Sequence, residues 1–154
     1  MAYLNLLNEA KTKVVADYPN AEFFVSDCPI SETEMHQFGD ITQFRFAFVD
    51  MDDYSTVMIK WVEGQWSEVH SVIDPWTWSQ IFSLPVGFGI DAAINYAKAA
   101  LGVPGLSFTW FVLRKPFFSN ITEPSYMFKC PEPALGKYVF VGAVTTNVTT
   151  MNIV

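Results

Sequence analysis

The chain reads as two rough copies of one pattern. Residues 3–69 and 90–151 each run as one amphipathic helix followed by aromatic-rich strands, and residues 70–89 join them. Aligned on the prolines that end the helices, Pro19 and Pro104, Lys13 falls on Lys98 and Phe23 on Phe108. An internal repeat constrains architecture more than any single residue does. One helix on a short sheet leaves a hydrophobic sheet face, and a second unit can bury it.

The local patterns fill in each copy. Leu4, Leu7, Val14 and Tyr18 recur at three-to-four spacing and predict a helix over 3–18, stopped by Pro19-Asn20. A strand over 21–26 follows, then a polar loop or short helical turn over 27–40. Phe44, Phe46 and Phe48 alternate with Gln43, Arg45 and Ala47, which predicts a half-buried antiparallel strand over 41–50. Met51-Asp52-Asp53 turns the chain into a strand over 56–62, and Glu63-Gly64 makes a tight turn before 65–69.

In the second copy Ile90, Ile94, Ala97 and Leu101 line one helix face, with Gly102 placed as the C-cap. Strands are expected over 106–114, 125–130 and 137–144, and the pattern leaves open a continuation to Met151. The joining residues 70–89 are too apolar for a flexible linker and read as an irregular arm or short strand across the sheet. The closing turns align by themselves, three residues off the proline register: Val57-Met58-Ile59 falls on Val139-Phe140-Val141, and Glu63-Gly64-Gln65-Trp66 on Thr145-Thr146-Asn147-Val148. The expected fold class is α+β: two αβββ units packed as one pseudo-twofold domain over residues 1–154.

Two stretches of the second copy carry a family resemblance. Ile90-Asp91-Ala92-Ala93 with Ala97-Lys98-Ala99-Ala100 resembles the opening helix of the PepSY-like domains. Lys137-Tyr138-Val139-Phe140-Val141, followed by Thr145-Thr146-Asn147-Val148, resembles their closing strand and turn. That family usually has Thr-Gly in the closing turn; Thr146 stands in place of the glycine here, while the first copy keeps Gly64. The resemblance spans most of the chain and implies cystatin-like helix-on-sheet units serving as a binding or inhibitory module. Typical members are secreted or membrane-tethered, so the chain looks like an intracellular variant.

Composition narrows the partners. Hydrophobic residues make up 51 % of the chain and aromatics 16 %, which excludes disorder. Apolar runs reach only about eight residues, against the roughly 20 of a spanning helix, so no membrane partner is expected. The N-terminus lacks a basic and then long apolar signal segment, and Cys28 and Cys130 fit a reducing compartment; a cytoplasmic location is expected. With nine Lys and Arg and a net charge of −7, nucleic acid is a poor partner. Residues 1–74 hold 13 acids and 4 bases, a net of −9; residues 75–154 hold 3 acids and 5 bases, a net of +2. Acids of this kind can simply solubilise an aromatic-rich domain, or can recruit a basic partner.

No catalytic set emerges. His36, His70, Cys28 and Cys130 lack paired metal-ligand spacing, so no metal is expected. Asp50, Asp52 and Asp53 lack the other ligands of a calcium loop and read as a solvated turn. Gly87-Phe88-Gly89 lacks the third glycine and the lysine of a phosphate cradle, and no cofactor is expected. There is no Gly-x-Ser-x-Gly elbow, and the carboxylate pairs Glu32/Glu34 and Glu68/Asp74 would depend on folding alone.

The aromatics remain: Trp76, Trp78, Trp110 and Phe111, with Phe117 and Phe118. They can serve as core, as a protein-binding surface or as the wall of an apolar pocket. The expected function is a non-enzymatic intracellular binding module, an inhibitor or an assembly partner, with Trp76 and Trp78 at its surface. The alternative is a small-molecule binder or enzyme with a cavity between helix and sheet, where Arg45, Tyr126 and Asp91 would converge. A self-associating homodimer is the third reading.

Overall fold

The computed structural model describes residues 3–72, 81–83, 86–115, 118 and 120–153. Helix α1 spans Tyr3–Asp17 and helix α2 Ile90–Leu101. Four strands follow α1 closely: β1 (Ala21–Asp27), β2 (Gln43–Asp50), β3 (Thr56–Val62) and β4 (Gln65–Trp66). A short β5 (His70–Val72) precedes the joining segment. After α2 come β6 (Trp110–Arg114), β7 (Ser125–Cys130), β8 (Lys137–Gly142) and β9 (Val148–Asn152). All strand pairs are antiparallel, and the nine strands form one sheet ordered β4-β3-β2-β1-β6-β7-β8-β9, with β5 on β3. The fold class is α+β, dominated by sheet.

Period-two alternation assigns the faces. Phe44, Phe46 and Phe48 of β2, Val57 and Ile59 of β3, and Phe111 and Leu113 of β6 point to one side. Tyr126, Phe128 and Cys130 of β7 and Val139 and Val141 of β8 join them in one buried cluster with both helices. From the helices come Tyr3, Leu6, Leu7, Ala10, Val14, Ile90, Ala93, Ile94 and Ala97. Tyr3 is the hub: its ring centroid lies 5.7 Å from Phe44 and Phe111, 6.0 Å from Tyr126 and 6.4 Å from Phe46.

Helix ends follow local chemistry. Gly102 takes the left-handed φ of 66°, and its N–H and that of Val103 both donate to the Lys98 carbonyl, as in a Schellman stop.

Several boundaries differ from the sequence reading. The strand expected from Leu106 begins at Trp110; before it Phe108 exchanges hydrogen bonds with Met35 across an isolated bridge. The stretch 65–69 is a strand only over Gln65–Trp66. The final strand breaks at the turn 143–147 into β8 and β9, so four strands rather than three follow α2. Thr146 makes that turn with φ 63°, a conformation that sequence pattern assigns to glycine. Within 70–89, β5 pairs with β3, and the Phe82 N–H donates to the Phe23 carbonyl at 3.1 Å, with the two rings 5.1 Å apart.

The hub makes the core intolerant of truncation. Phe111→Ala, at a fully buried ring, is expected to cost about 3–5 kcal/mol in chemical denaturation. Val144→Ala, at an exposed turn, is expected to stay within about 0.5 kcal/mol of wild type.

Candidate functional site

Both helices cover one face of the sheet, so the opposite face must be explained. In its middle, Phe24, Val25, Ala47, Val49 and Val112 form a second buried cluster, with Met51, Met58, Ile81, Trp110 and Met127 packed around it. Toward β8 and β9 that cluster opens into a groove of about 810 Å³. Trp110, Phe118, Met127, Tyr138, Phe140 and Met151 supply its apolar lining, and Lys137, Thr150 and Asn152 its polar rim. Phe118 is 44 % exposed and stands edge-on to Phe140, ring centroids 5.6 Å apart. Trp110 is half-buried and belongs to both cluster and groove.

The other sequence candidates go elsewhere. Phe111 is in the core beneath the helices. Tyr126 is buried there too, and its hydroxyl donates to the Phe88 carbonyl at 2.6 Å; burial pushes its pKa up. Arg45 forms a two-pronged ion pair with Asp27, Nε to Oδ1 at 2.9 Å and Nη2 to Oδ2 at 2.6 Å, and this bond raises its pKa. The pair lines a separate small pocket of about 240 Å³ with Lys60 and Gln43. Asp91 accepts the Phe38 N–H at 2.7 Å and so ties the 27–40 loop to α2. Arg45, Tyr126 and Asp91 are each committed to a different partner and do not converge. Trp76 and Trp78 lie outside the described residues.

Trp110 and Phe118 were among the aromatics singled out from sequence, whereas Met127, Tyr138, Phe140 and Met151 were not. The available signal was β8 itself: Tyr138 and Phe140 alternate with Val139 and Val141, so the strand is apolar on both faces and needs cover on both.

The remaining polar groups serve structure. Asp50 accepts the Asp52 N–H, Asp53 the Ser55 N–H, and Asp52 the Asn20 amide, so the acidic turn spends its carboxylates on its own backbone and on Asn20. Among the described residues no three His, Cys, Asp or Glu side chains come together to hold a metal. Glu123 caps the β8–β9 turn. Its carboxylate accepts the N–H groups of Val144 and Thr145 at 2.9 and 3.0 Å and the Thr145 hydroxyl at 2.6 Å. Gly142 leaves the space this carboxylate fills. Burial pushes the Glu123 pKa up, but these three bonds outweigh it and hold the carboxyl below its ordinary value.

Compared with protein-family models, curated proteins and solved structures, the chain matches none. Among the described residues, no helix is long and apolar enough to cross a membrane.

Both cysteines are free and buried, and burial pushes Cys28 up to about 11 and Cys130 up to about 12. Neither thiol is expected to react with a disulfide reagent at neutral pH in the native protein, and both are expected to react in denaturant. Rapid native labelling at either position would contradict this burial.

Because the Glu123 pKa is lower folded than unfolded, its stabilisation is full above the ordinary value of 4.5 and is lost as pH falls through the lower folded value. Thermal melts of wild type and Glu123→Gln should differ at neutral pH and converge in acid. A gap independent of pH would show that the carboxylate charge is not what holds the turn.

Proposed function

We propose that the chain is a non-enzymatic binding module that receives an apolar anchor of a protein partner in the groove on its helix-free face. The observation that carries this reading is the partly exposed apolar lining of Trp110, Phe118, Met127 and Met151 on a floor that includes Phe140. A strand face of this kind gains by being covered. Tryptophan and aromatic side chains supply anchoring area. Methionine adapts its shape to an incoming group. Acting as an inhibitor or as an assembly partner both follow from one such surface. An intracellular setting belongs to the same proposal, and two unpaired thiols are at home there.

A small apolar ligand in the same groove is the second reading. Its volume lies within the roughly 300–1,000 Å³ usual for ligand sites. The cavity between helix and sheet has less support, since rings from both layers meet there and the Tyr126 hydroxyl is already bonded.

We also read the fold as a duplicated, PepSY-like αβββ unit with an added edge strand in each copy. The strand order supports this, running outward from β1 through β2 and β3 to β4 and from β6 through β7 and β8 to β9. The positive φ of Gly64 (87°) and of Thr146 (63°), which the alignment of the closing turns sets opposite one another, is a second support.

Methionine-methyl NMR tests the groove directly. Titration with indole and with short peptides bearing one aromatic anchor should shift Met127 and Met151 and leave the buried Met35 unmoved. Larger shifts for the peptides favour the protein partner; equal shifts for indole favour a small ligand. Shifts confined to other methionines, or none, would remove the groove from consideration.

A further inference from the structure

The two outer edges of the sheet are treated differently. At one end the outermost strands are short, the two-residue β4 opposite Trp61 and Val62 of β3 and the three-residue β5 opposite Thr56, Val57 and Met58, and such short edges offer little to pair with. At the other end β9 pairs with β8, and among the described residues no strand pairs its other side.

Pairing parity shows which backbone groups are left over. The Gly142 N–H donates to the Asn147 carbonyl at 2.9 Å, so that pair is a hydrogen-bonded one. Antiparallel ladders alternate, which makes Phe140–Thr149 and Tyr138–Met151 the next bonded pairs. The N–H and C=O groups of Val148, Thr150 and Asn152 therefore point away from β8. Native edges are usually guarded by charge, proline or a bulge. Val148-Thr149-Thr150-Met151-Asn152 carries no charge and no proline, and its register with β8 runs without a shift.

We propose that β9 pairs antiparallel with β9 of a second copy of this chain, about a twofold axis at Thr150. In this register the outward groups match: Val148 stands opposite the partner's Asn152 and Thr150 opposite the partner's Thr150. The axis is normal to the sheet, so the helix-free faces stay on one side. Thr149 and Met151 share that face with Phe140 and Tyr138, and each groove then borders its copy across the joint.

Charge selects this edge for self-pairing. Residues 1–74, which include α1 and β1 to β5, carry a net of −9, whereas residues 75–154 carry +2. Meeting through β9 joins the weakly charged halves and holds the acidic halves at the far ends of the joined sheet. Five residue pairs make a small interface, below the roughly 1,200 Å² of standard complexes, so the dimer is weak and concentration-dependent.

Sedimentation velocity on the full chain, from low to high micromolar, should show the mass rising from one chain to two. Thr150→Pro removes an outward N–H without taking a bond from β8, and edge strands tolerate proline. It should remain monomeric with an unchanged circular dichroism spectrum. Should that variant misfold, Thr150→Cys answers the same question. Directly opposed residues of a bonded pair lie about 5.5 Å apart at Cα, within the range a disulfide spans. Mild oxidation should crosslink Thr150→Cys into dimers and leave Thr145→Cys monomeric, with both native thiols buried. A single-chain mass at every concentration overturns the proposal. So does a dimer that persists in folded Thr150→Pro, or crosslinking no greater at 150 than at 145. A monomeric chain that nevertheless binds a synthetic Val148–Asn152 peptide also overturns it, and assigns the edge to a foreign strand. These readouts are independent of the groove's ligand, because the mass can double while the methionine methyls of the anchor titration stay still.

Discussion

Three residue pairs hold the sheet together at its middle: Val25 with Arg114, Ser26 with Leu113 and Asp27 with Val112. Without them β1 to β5 and β6 to β9 would be two small sheets, each with one helix. So short a ladder is not enough by itself, because each backbone hydrogen bond contributes only about 0.5–1.5 kcal/mol net. The seam is reinforced from the helix side by Tyr3. Its ring touches Phe44 and Phe46 on one flank of the seam and Phe111 and Tyr126 on the other. The helices also start beside one another there, since a Cβ on Gly89 would lie 3.5 Å from the Tyr3 Cβ. On the opposite face Asp27 extends the seam sideways through its ion pair to Arg45.

That arrangement fixes where a surface can be. Both helices share one face with Tyr3, so their buried apolar residues go into a single core. The other face receives no helix. Its middle is nonetheless buried around Val49 and Val112, with Ile81 packed against it. Cover thins toward β8 and β9, and there Phe118, Met127 and Met151 stay partly exposed. The groove is thus a consequence of sidedness: a strand with apolar residues on both faces lies where only one face has a helix.

The sequence carried most of the elements and little of the site. The boundaries of β3 and β7 and the Gly102 stop were legible because periodicity and turn chemistry are local. The break between β8 and β9 was not. It is made by Thr146 at positive φ and by Glu123, which reaches the turn from 21 and 22 residues away in sequence. Trp110 was legible as a surface candidate by residue type. Tyr126 and Arg45 were legible as polar groups among apolar ones, but their partners were not. The Phe88 carbonyl is 38 residues from Tyr126 and Asp27 is 18 from Arg45, and only the fold reveals that both side chains are already satisfied. A polar residue in an apolar strand signals a site only when its partner is missing, and that is a tertiary property.

Charge and edge protection divide the molecule along the same line. The half that carries the acids ends in the short edge strands β4 and β5 on β3. The half that is nearly neutral carries the groove and the five-residue edge strand β9, whose outer side no strand pairs among the described residues. A net of −9 on the first half repels a second copy of itself at close range far more strongly than +2 on the second half does. Two features that are costly to leave open, an unpaired strand and an apolar strip, therefore sit where electrostatics least opposes approach. Had the acids been spread evenly, β9 would be expected to hold a guarding charge of its own, as isolated edges commonly do. Its neutrality accords with the partition, which makes the β8–β9 end the one where electrostatics least opposes an encounter.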